Sequence, residues 1–148
     1  MTTINNEITI NAPIEKIWQA LTEVEILDKY DPTVKKSTLL SETKAGIGAK
    51  RKVDMLDGKN WFEEHCTVHQ PNEALTFELT ACSFPIHKLK HSYSFEKVGT
   101  QTKVKQVMQY EMKFGVFGKI MDAMVVRSQS DKGIKKFFAG LKSFTEKN

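Results

Sequence analysis

The chain has 148 residues and a formal net charge of +4, with 40% of its residues hydrophobic and 27% charged. This length predicts a single domain, 1–148, with a core large enough to enclose a cavity. The lysines are spread along the chain, which disfavours a nucleic-acid partner. The first residues lack an apolar signal region, and no apolar run approaches the roughly 20 residues of a membrane span. We therefore expect a cytoplasmic protein without an integral membrane segment.

The first 32 residues predict a strand and two short helices. Residues 4–11 alternate in polarity, and Pro13 suits the first turn of a helix over 13–22, with Asn11 as a candidate N-cap. A second helix over 24–30 ends at Asp31-Pro32. Turn signals then separate six further strands. These strands are predicted at 34–42, 48–56, 60–70, 73–82, 88–98 and 101–113.

A long helix of about 27 residues closes the chain near Glu146. Its apolar stripe consists of Phe117, Ile120, Met124, Ile134, Phe138 and Leu141. Gly133 is expected to mark a bend, and Gly140 to allow close packing against the sheet. Arg127 and Asp131 fall within the stripe at i,i+4 spacing, so they can pair.

The order of these elements predicts an α+β fold, in which a curved seven-stranded antiparallel sheet wraps around the C-terminal helix and leaves a ligand cavity. The sequence resembles the START-like helix-grip (SRPBCC) superfamily, and most closely its polyketide cyclase/dehydrase and lipid-transport branch. The matching residues are Ile8-x-Ile10-x-Ala12-Pro13-x-x-Lys16-Ile17-Trp18-x-x-Leu21, Asp31-Pro32-x-Val34 and Gly46-x-Gly48-x-x-Arg51. The resemblance extends over nearly the whole chain. It implies the helix-grip fold and a pocket for a hydrophobic small molecule, but no single activity.

Strand alternation predicts which side chains face the cavity, because residues i and i+2 share a face. The polar inner residues are expected to be Lys36, Arg51, Glu64, His91 and Gln106 on strands, with Arg127 and Asp131 on the helix. The apolar lining is expected to be Phe62, Phe77, Leu79, Tyr93, Met108, Tyr110, Met112 and Met124. By the same alternation, His65 and His69 should face solvent.

The inner polar residues leave two interpretations open. In one, Lys36 or Arg51 holds a carboxylate or enolate, and Glu64 or His91 is the candidate catalytic acid or base. A cavity position of Lys36 resembles the hormone-receptor branch, where a lysine on this strand holds the ligand carboxylate. In the other, these groups satisfy one another, or lie at the rim with their charged ends in water.

Two classes of function follow for the chain. The favoured one is binding or transport of a hydrophobic or amphiphilic small molecule, lipid-like or polyketide-like, without a cofactor. The alternative is a cyclase, aromatase or dehydrase that uses acid/base residues in the same cavity without a metal. Binding is favoured because the polar residues are scattered over several strands. A partner-regulating module is a third possibility, and the chain is expected to be a monomer or weak homodimer.

Further patterns concern metal binding, the thiols and access to the cavity. His65 and His69 lie about 13 Å apart on a strand, with Cys66 pointing the other way, so no metal site is expected. The two cysteines, Cys66 and Cys82, indicate reduced thiols. The loops 57–60 and 83–87 are expected to form the mouth of the cavity.

Overall fold

Seven strands form one antiparallel sheet with the order β1-β7-β6-β5-β4-β3-β2. The computed structural model describes residues 1–147. The strands are β1 (Thr2–Ile10), β2 (Val34–Leu39), β3 (Lys50–Met55), β4 (Trp61–Gln70), β5 (Ala74–Cys82), β6 (Ile86–Val98) and β7 (Gln101–Met112). The predicted meander is confirmed, because each strand from β2 to β6 pairs with the next along the chain. The first strand returns to pair with the last.

Two short helices follow the first strand, as predicted. They are α1 (Ile14–Thr22) and α2 (Leu27–Tyr30), with a short 3₁₀ turn at Val24–Ile26 between them. Helix α1 buries Ile17, Ala20 and Leu21, whose spacing places them on one face. The prediction that Asn11 is the N-cap of α1 is wrong, because Pro13 occupies the cap position.

A continuous helical run from residue 115 to residue 146 closes the chain. It consists of α3 (Gly115–Met121), a π-helical segment (Asp122–Val126) and α4 (Arg127–Glu146). The predicted α+β helix-grip architecture is therefore confirmed. Within the described residues, no helix is both long and apolar enough to cross a membrane.

Helix α4 packs through its C-terminal part. Ile134, Phe137, Phe138 and Leu141 are all buried there. At Gly140, a Cβ atom would lie 1.8 Å from the carbonyl oxygen of Tyr30. The predicted close approach at this glycine therefore exists, but its partner is the end of α2 and not the sheet.

Two β-bulges change the predicted alternation. In β2 the register shifts between Val34 and Lys36, so Ser37 is buried and Lys36 is exposed. In β4 the register shifts between Cys66 and Val68. After that shift His69 is half-buried and packs edge-on against Trp18, with ring centroids 5.0 Å apart. The expectations that Lys36 faces inward and His69 faces solvent are wrong for this reason.

Candidate functional site

A pocket of about 420 Å³ lies between the concave face of the sheet and the C-terminal helix. Its wall is mainly apolar. The strands contribute Met55, Phe62, Phe77, Leu79, Leu89, Tyr93 and Met108, and the helix contributes Val125, Val126, Ile134 and Phe137. The polar groups of the lining are a minority and come from the strands, from the segment after α2 and from the helix. The pocket is therefore suited to a ligand with a small polar part.

The charged centre of the pocket is a buried ion pair between Arg51 and Glu64. These residues are directly opposite each other in the β3–β4 pair. Arg51 Nε and Nη2 lie 2.8 and 2.7 Å from Glu64 Oε1, and the two side chains are 7% and 2% exposed. The guanidinium also stands over the Phe77 ring, 4.5 Å from its centroid. The charge of Arg51 is thus already compensated inside the protein.

Burial and the ion pair shift the pKa of Arg51 in opposite directions. Burial is the largest effect and lowers the pKa of the guanidinium, but the charge and hydrogen bond of Glu64, together with Tyr30 and Tyr93, outweigh it and leave that pKa above its ordinary value. Arg51 therefore remains a cation, and its counter-charge is a protein group.

A second polar group lies on β6 and β7 and is uncharged. Tyr93 and Gln106 are cross-strand partners, and Gln106 Nε2 donates a hydrogen bond of 3.1 Å to the Tyr93 hydroxyl. Gln106 is 2% exposed, yet its Oε1 has no partner among the described residues, and neither has the buried Nδ1 of His91. A buried polar atom without a partner costs roughly 1–3 kcal/mol. These two atoms are the places where a bound molecule would gain most from a hydrogen bond.

Burial keeps this second group neutral. It lowers the pKa of His91, with the cation Arg51 acting in the same direction and Glu64 opposing both. It also raises the pKa of the Tyr93 hydroxyl. At neutral pH the pocket therefore presents a neutral imidazole and a protonated phenol beside the ion pair.

Sequence reasoning missed Asp31, which also lines the pocket. Its Oδ1 accepts hydrogen bonds from the backbone N–H and the hydroxyl of Thr33, at 2.9 and 2.7 Å. Burial raises the pKa of this carboxyl group. The signal was the segment Asp31-Pro32-Thr33, because an aspartate that caps the backbone two residues later is held at a fixed position.

Three of the predicted apolar lining residues lie outside the pocket wall. Tyr110 is fully buried, but its hydroxyl donates to Asp122 and it does not line the pocket. Met112 packs against the core without reaching the pocket. Met124 is 75% exposed. The expectation that these three side chains line the cavity is therefore wrong.

The two predicted polar residues of the helix also lie elsewhere, because of how the helix lies over the sheet. Asp131 pairs with Lys135 at 2.8 Å and accepts a hydrogen bond from Asn6. Arg127 is exposed, and its Nη2 lies 3.5 Å from the Thr3 carbonyl oxygen. The predicted Arg127–Asp131 pair is therefore wrong.

The contacts of Asp131 and Arg127 with the sheet are both made to β1, an edge strand, so this flank of α4 is open to water. The opposite flank faces the pocket, through Gln129, Ser130 and Gly133. The sequence singled out none of these three as lining residues.

The two candidate catalytic groups share no hydrogen bond in the described part of the chain. Glu64 is bound to Arg51, and His91 Nδ1 has no partner among the described residues. In the described part of the chain, no set of three or more His, Cys, Asp and Glu side chains is placed to hold a metal ion. Cys66 and Cys82 are free thiols.

One of the two predicted mouth loops lines the pocket. Phe84 and Pro85, in the connection from β5 to β6, and Ile86, the first residue of β6, are part of its wall. The 57–60 turn is not, although it is adjacent, since the Ser83 hydroxyl lies 3.1 Å from Asn60 Oδ1.

Comparison with known proteins identifies a family and a fold. The family described as "Polyketide cyclase / dehydrase and lipid transport" matches residues 1–144. Among solved structures, a START superfamily protein from Mycobacterium smegmatis is similar at a TM-score of 0.80 and 15% identity, over 97% of each chain. TTHA0849 from Thermus thermophilus has a TM-score of 0.80 and 17% identity, over 96% of this chain and 95% of its own. XoxI from Bacillus cereus has a TM-score of 0.78 and 13% identity, over 98% and 96%. No curated protein matches the sequence.

Proposed function

Since the chain belongs to the polyketide cyclase/dehydrase and lipid-transport family, we propose that it binds a mostly apolar, uncharged small molecule in the pocket between the sheet and the C-terminal helix. The observation that carries this proposal is the buried Arg51–Glu64 ion pair. Apart from this pair, the acidic or basic side chains among the described lining residues are His91 and Asp31. An anionic ligand would meet a cation that is already paired and a second carboxylate nearby, so it would lose hydration without gaining a free counter-charge.

The polar part of the ligand is inferred from the unpartnered atoms. Gln106 Oε1 is an acceptor and requires a donor from the ligand, such as a hydroxyl or N–H group. The neutral ring of His91 offers a second hydrogen-bonding position in the same lining. A ligand with one hydroxyl on an otherwise apolar body would satisfy Gln106 and cover the aromatic wall. This supports a lipid-like alcohol or a neutral polyketide-like compound over a fatty acid.

Binding is favoured over catalysis by the state of Glu64. A general base needs a free carboxylate within reach of the proton that it removes. Glu64 accepts two charge-assisted contacts from Arg51, and using it as a base would leave a buried cation without its partner. The cyclase or dehydrase alternative has no comparable observation in its favour.

The proposal is tested by filling the pocket from the helix. A Cβ atom at Gly133 would have no atom within 4 Å, although the residue lines the pocket, so leucine fits there and occupies ligand space. We expect Gly133→Leu to fold normally and to lose binding of an apolar fluorescent probe. Ala139→Leu, an exposed position on the same helix, is the matched control and should bind as the wild type does.

Native mass spectrometry of the freshly purified protein provides a second readout. A co-purified neutral small molecule in the wild type, absent from Gly133→Leu, is the expected result. Unchanged probe binding by the Gly133→Leu protein would contradict the proposal, because the probe would then bind outside the pocket.

A further inference from the structure

Helix α3 and the π-helical segment leave an apolar surface uncovered. The only buried residue of α3 is Gly118, and the π-helical segment has none. The apolar patch consists of Phe114, Val116, Phe117, Ile120, Met124 and Val125, all more than half exposed. Apolar residues of this size are scattered singly on an ordinary surface, whereas here they follow one another along a single helical run.

The exposed charges within the segment 113–127 have one sign. Lys113, Lys119 and Arg127 are exposed, and they lie at the start, middle and end of the segment 113–127. Its single acidic residue, Asp122, points back to the sheet, where it accepts hydrogen bonds from the hydroxyls of Thr2 and Tyr110. The segment therefore presents bulky apolar side chains and positive charge together, without an exposed carboxylate.

We propose that the apolar patch docks onto an anionic phospholipid surface. Apolar side chains on a basic helix partition into the boundary between lipid headgroups and acyl chains, and the cations bind the headgroups. A second copy of this chain fits less well. A symmetric contact through the patch would bring Lys113, Lys119 and Arg127 of two chains of net charge +4 together.

The apolar patch lies next to the pocket, so docking would bring the pocket close to the lipid surface. Val125 is a member of the patch and also lines the pocket, and Val126 beside it is part of the same wall. A chain docked through the patch would hold this side of the pocket against the lipid. An apolar ligand would then pass between bilayer and pocket without crossing water. The main barrier to its transfer is the free-energy cost of exposing its apolar surface to water, and this route avoids that cost.

Vesicle flotation with the full chain tests this proposal. The probes are vesicles of phosphatidylcholine alone and vesicles of phosphatidylcholine mixed equally with phosphatidylglycerol. We expect binding to the mixed vesicles that weakens with added salt. The double variant Phe117→Ser/Met124→Ser should lose this binding by at least about tenfold. Ile47→Ser/Leu56→Ser, which removes two similarly exposed apolar residues from other loops, is the matched control and should bind normally.

A charge variant separates the two contributions to docking. Lys119→Gln/Arg127→Gln should weaken binding to mixed vesicles by about fivefold for each cation removed. Binding to phosphatidylcholine alone, which involves only the apolar side chains, should not change. Thermal unfolding midpoints equal to the wild type would show that all three variants are folded.

Three results would overturn the proposal. The first is no binding to either vesicle. The second is equal loss in the patch variant and its control. The third is a concentration-dependent dimer, seen by sedimentation, that the patch variant abolishes while vesicle binding is absent. Vesicle binding can fail while the apolar probe still enters the pocket, so failure here is distinct from failure of the ligand-binding proposal.

Discussion

The two ends of the C-terminal helical run carry similar apolar residues but have opposite surroundings. Around Phe138, the side chains of α4 are buried between α2 and the sheet, and Gly140 touches the end of α2. Phe117 and Met124, by contrast, are 77% and 75% exposed, and no other part of the described chain covers these two side chains. The C-terminal end therefore stabilises the fold, whereas the N-terminal end is available for binding at the surface.

This difference shows that an apolar stripe does not by itself locate the core. Strand β1 follows the helical run from Asp122 to Lys142, but the run buries large apolar side chains only in its C-terminal part. The pocket lies beside the boundary between the two ends. Gly133 and Ile134 line the pocket from the buried side of this boundary, and Val125 from the exposed side. A substitution should therefore affect stability, ligand binding or surface binding according to its place along one helix.

The largest expected difference is between two phenylalanines of the same helical run. Phe138→Ala should lower the free energy of unfolding by about 3–5 kcal/mol, because it leaves a cavity in the core. Phe117→Ala should change it by less than about 0.5 kcal/mol. Urea unfolding of both variants measures the two values, and similar losses would show that α3 is packed in solution.

A smaller difference is expected between two glycines. Gly140→Ala should cost about 1–3 kcal/mol, since its Cβ would lie 1.8 Å from the Tyr30 carbonyl oxygen and α4 must shift away. Gly133→Ala has open space around its Cβ and should stabilise the helix by up to about 1 kcal/mol. Thermal unfolding of the pair checks this. Equal effects of the two substitutions would mean that α4 is not pressed against α2.

The free energy of unfolding should depend modestly on pH through His91, which lines the pocket beside the boundary. Burial lowers the pKa of His91 in the folded chain, so below about pH 6.5 the unfolded chain binds more protons than the folded one. Stability should therefore fall as the pH falls below about 6.5, by at most about 1.4 kcal/mol per pH unit from this group. Arg51, Glu64 and Asp31 surround the same site and stay in place in the variant His91→Gln.

Unfolding free energies of wild type and His91→Gln between pH 5 and 8 (about one and a half units either side of the ordinary histidine value) isolate the contribution of His91. The difference between the two proteins should be constant above the ordinary histidine pKa and should change below it. A difference that stays constant over the whole range would mean that His91 is not buried in a neutral form.

The smallest effect is expected at Lys36, which strict alternation along β2 would place in the pocket. Because the bulge turns this side chain to solvent, Lys36→Met should leave ligand affinity within about twofold of the wild type. The measurement is a titration with a neutral apolar alcohol and with its carboxylate analogue. A selective loss for the carboxylate would place Lys36 at the binding site after all.

The regular parts of the fold were predictable from local patterns. The alternation in β6 and β7 correctly placed Tyr93, Gln106 and Met108 on the inner face, because no bulge interrupts those stretches. Predicting that Arg51 pairs with Glu64 requires the register of β3 against β4, and the sequence pattern narrows this register without determining it. Their shared inner face was nonetheless a correct prediction.

Local irregularities account for most of the errors. A β-bulge adds one residue and reverses every later side chain, as for Lys36 and His69, and neither bulge has a glycine or proline to mark it. The π-helical segment Asp122–Val126 similarly breaks a count of 100° per residue, so Val125 and Val126 line the pocket and Met124 does not. Which flank of α4 faces water depends on the edge strand β1, and this is a property of the assembled sheet.

The central claim is that the pocket selects an uncharged ligand, and calorimetric titration of a matched pair tests it most directly. The pair is a long-chain alkanol and the carboxylate of the same chain length, at neutral pH. The alkanol should bind at least about tenfold more tightly, because the carboxylate loses its hydration and finds Arg51 already paired. Gln106→Leu should weaken the alkanol by about threefold to tenfold, the effect of one neutral hydrogen bond. Tighter binding of the carboxylate would contradict the claim, since it would show that Arg51 exchanges Glu64 for an anionic ligand.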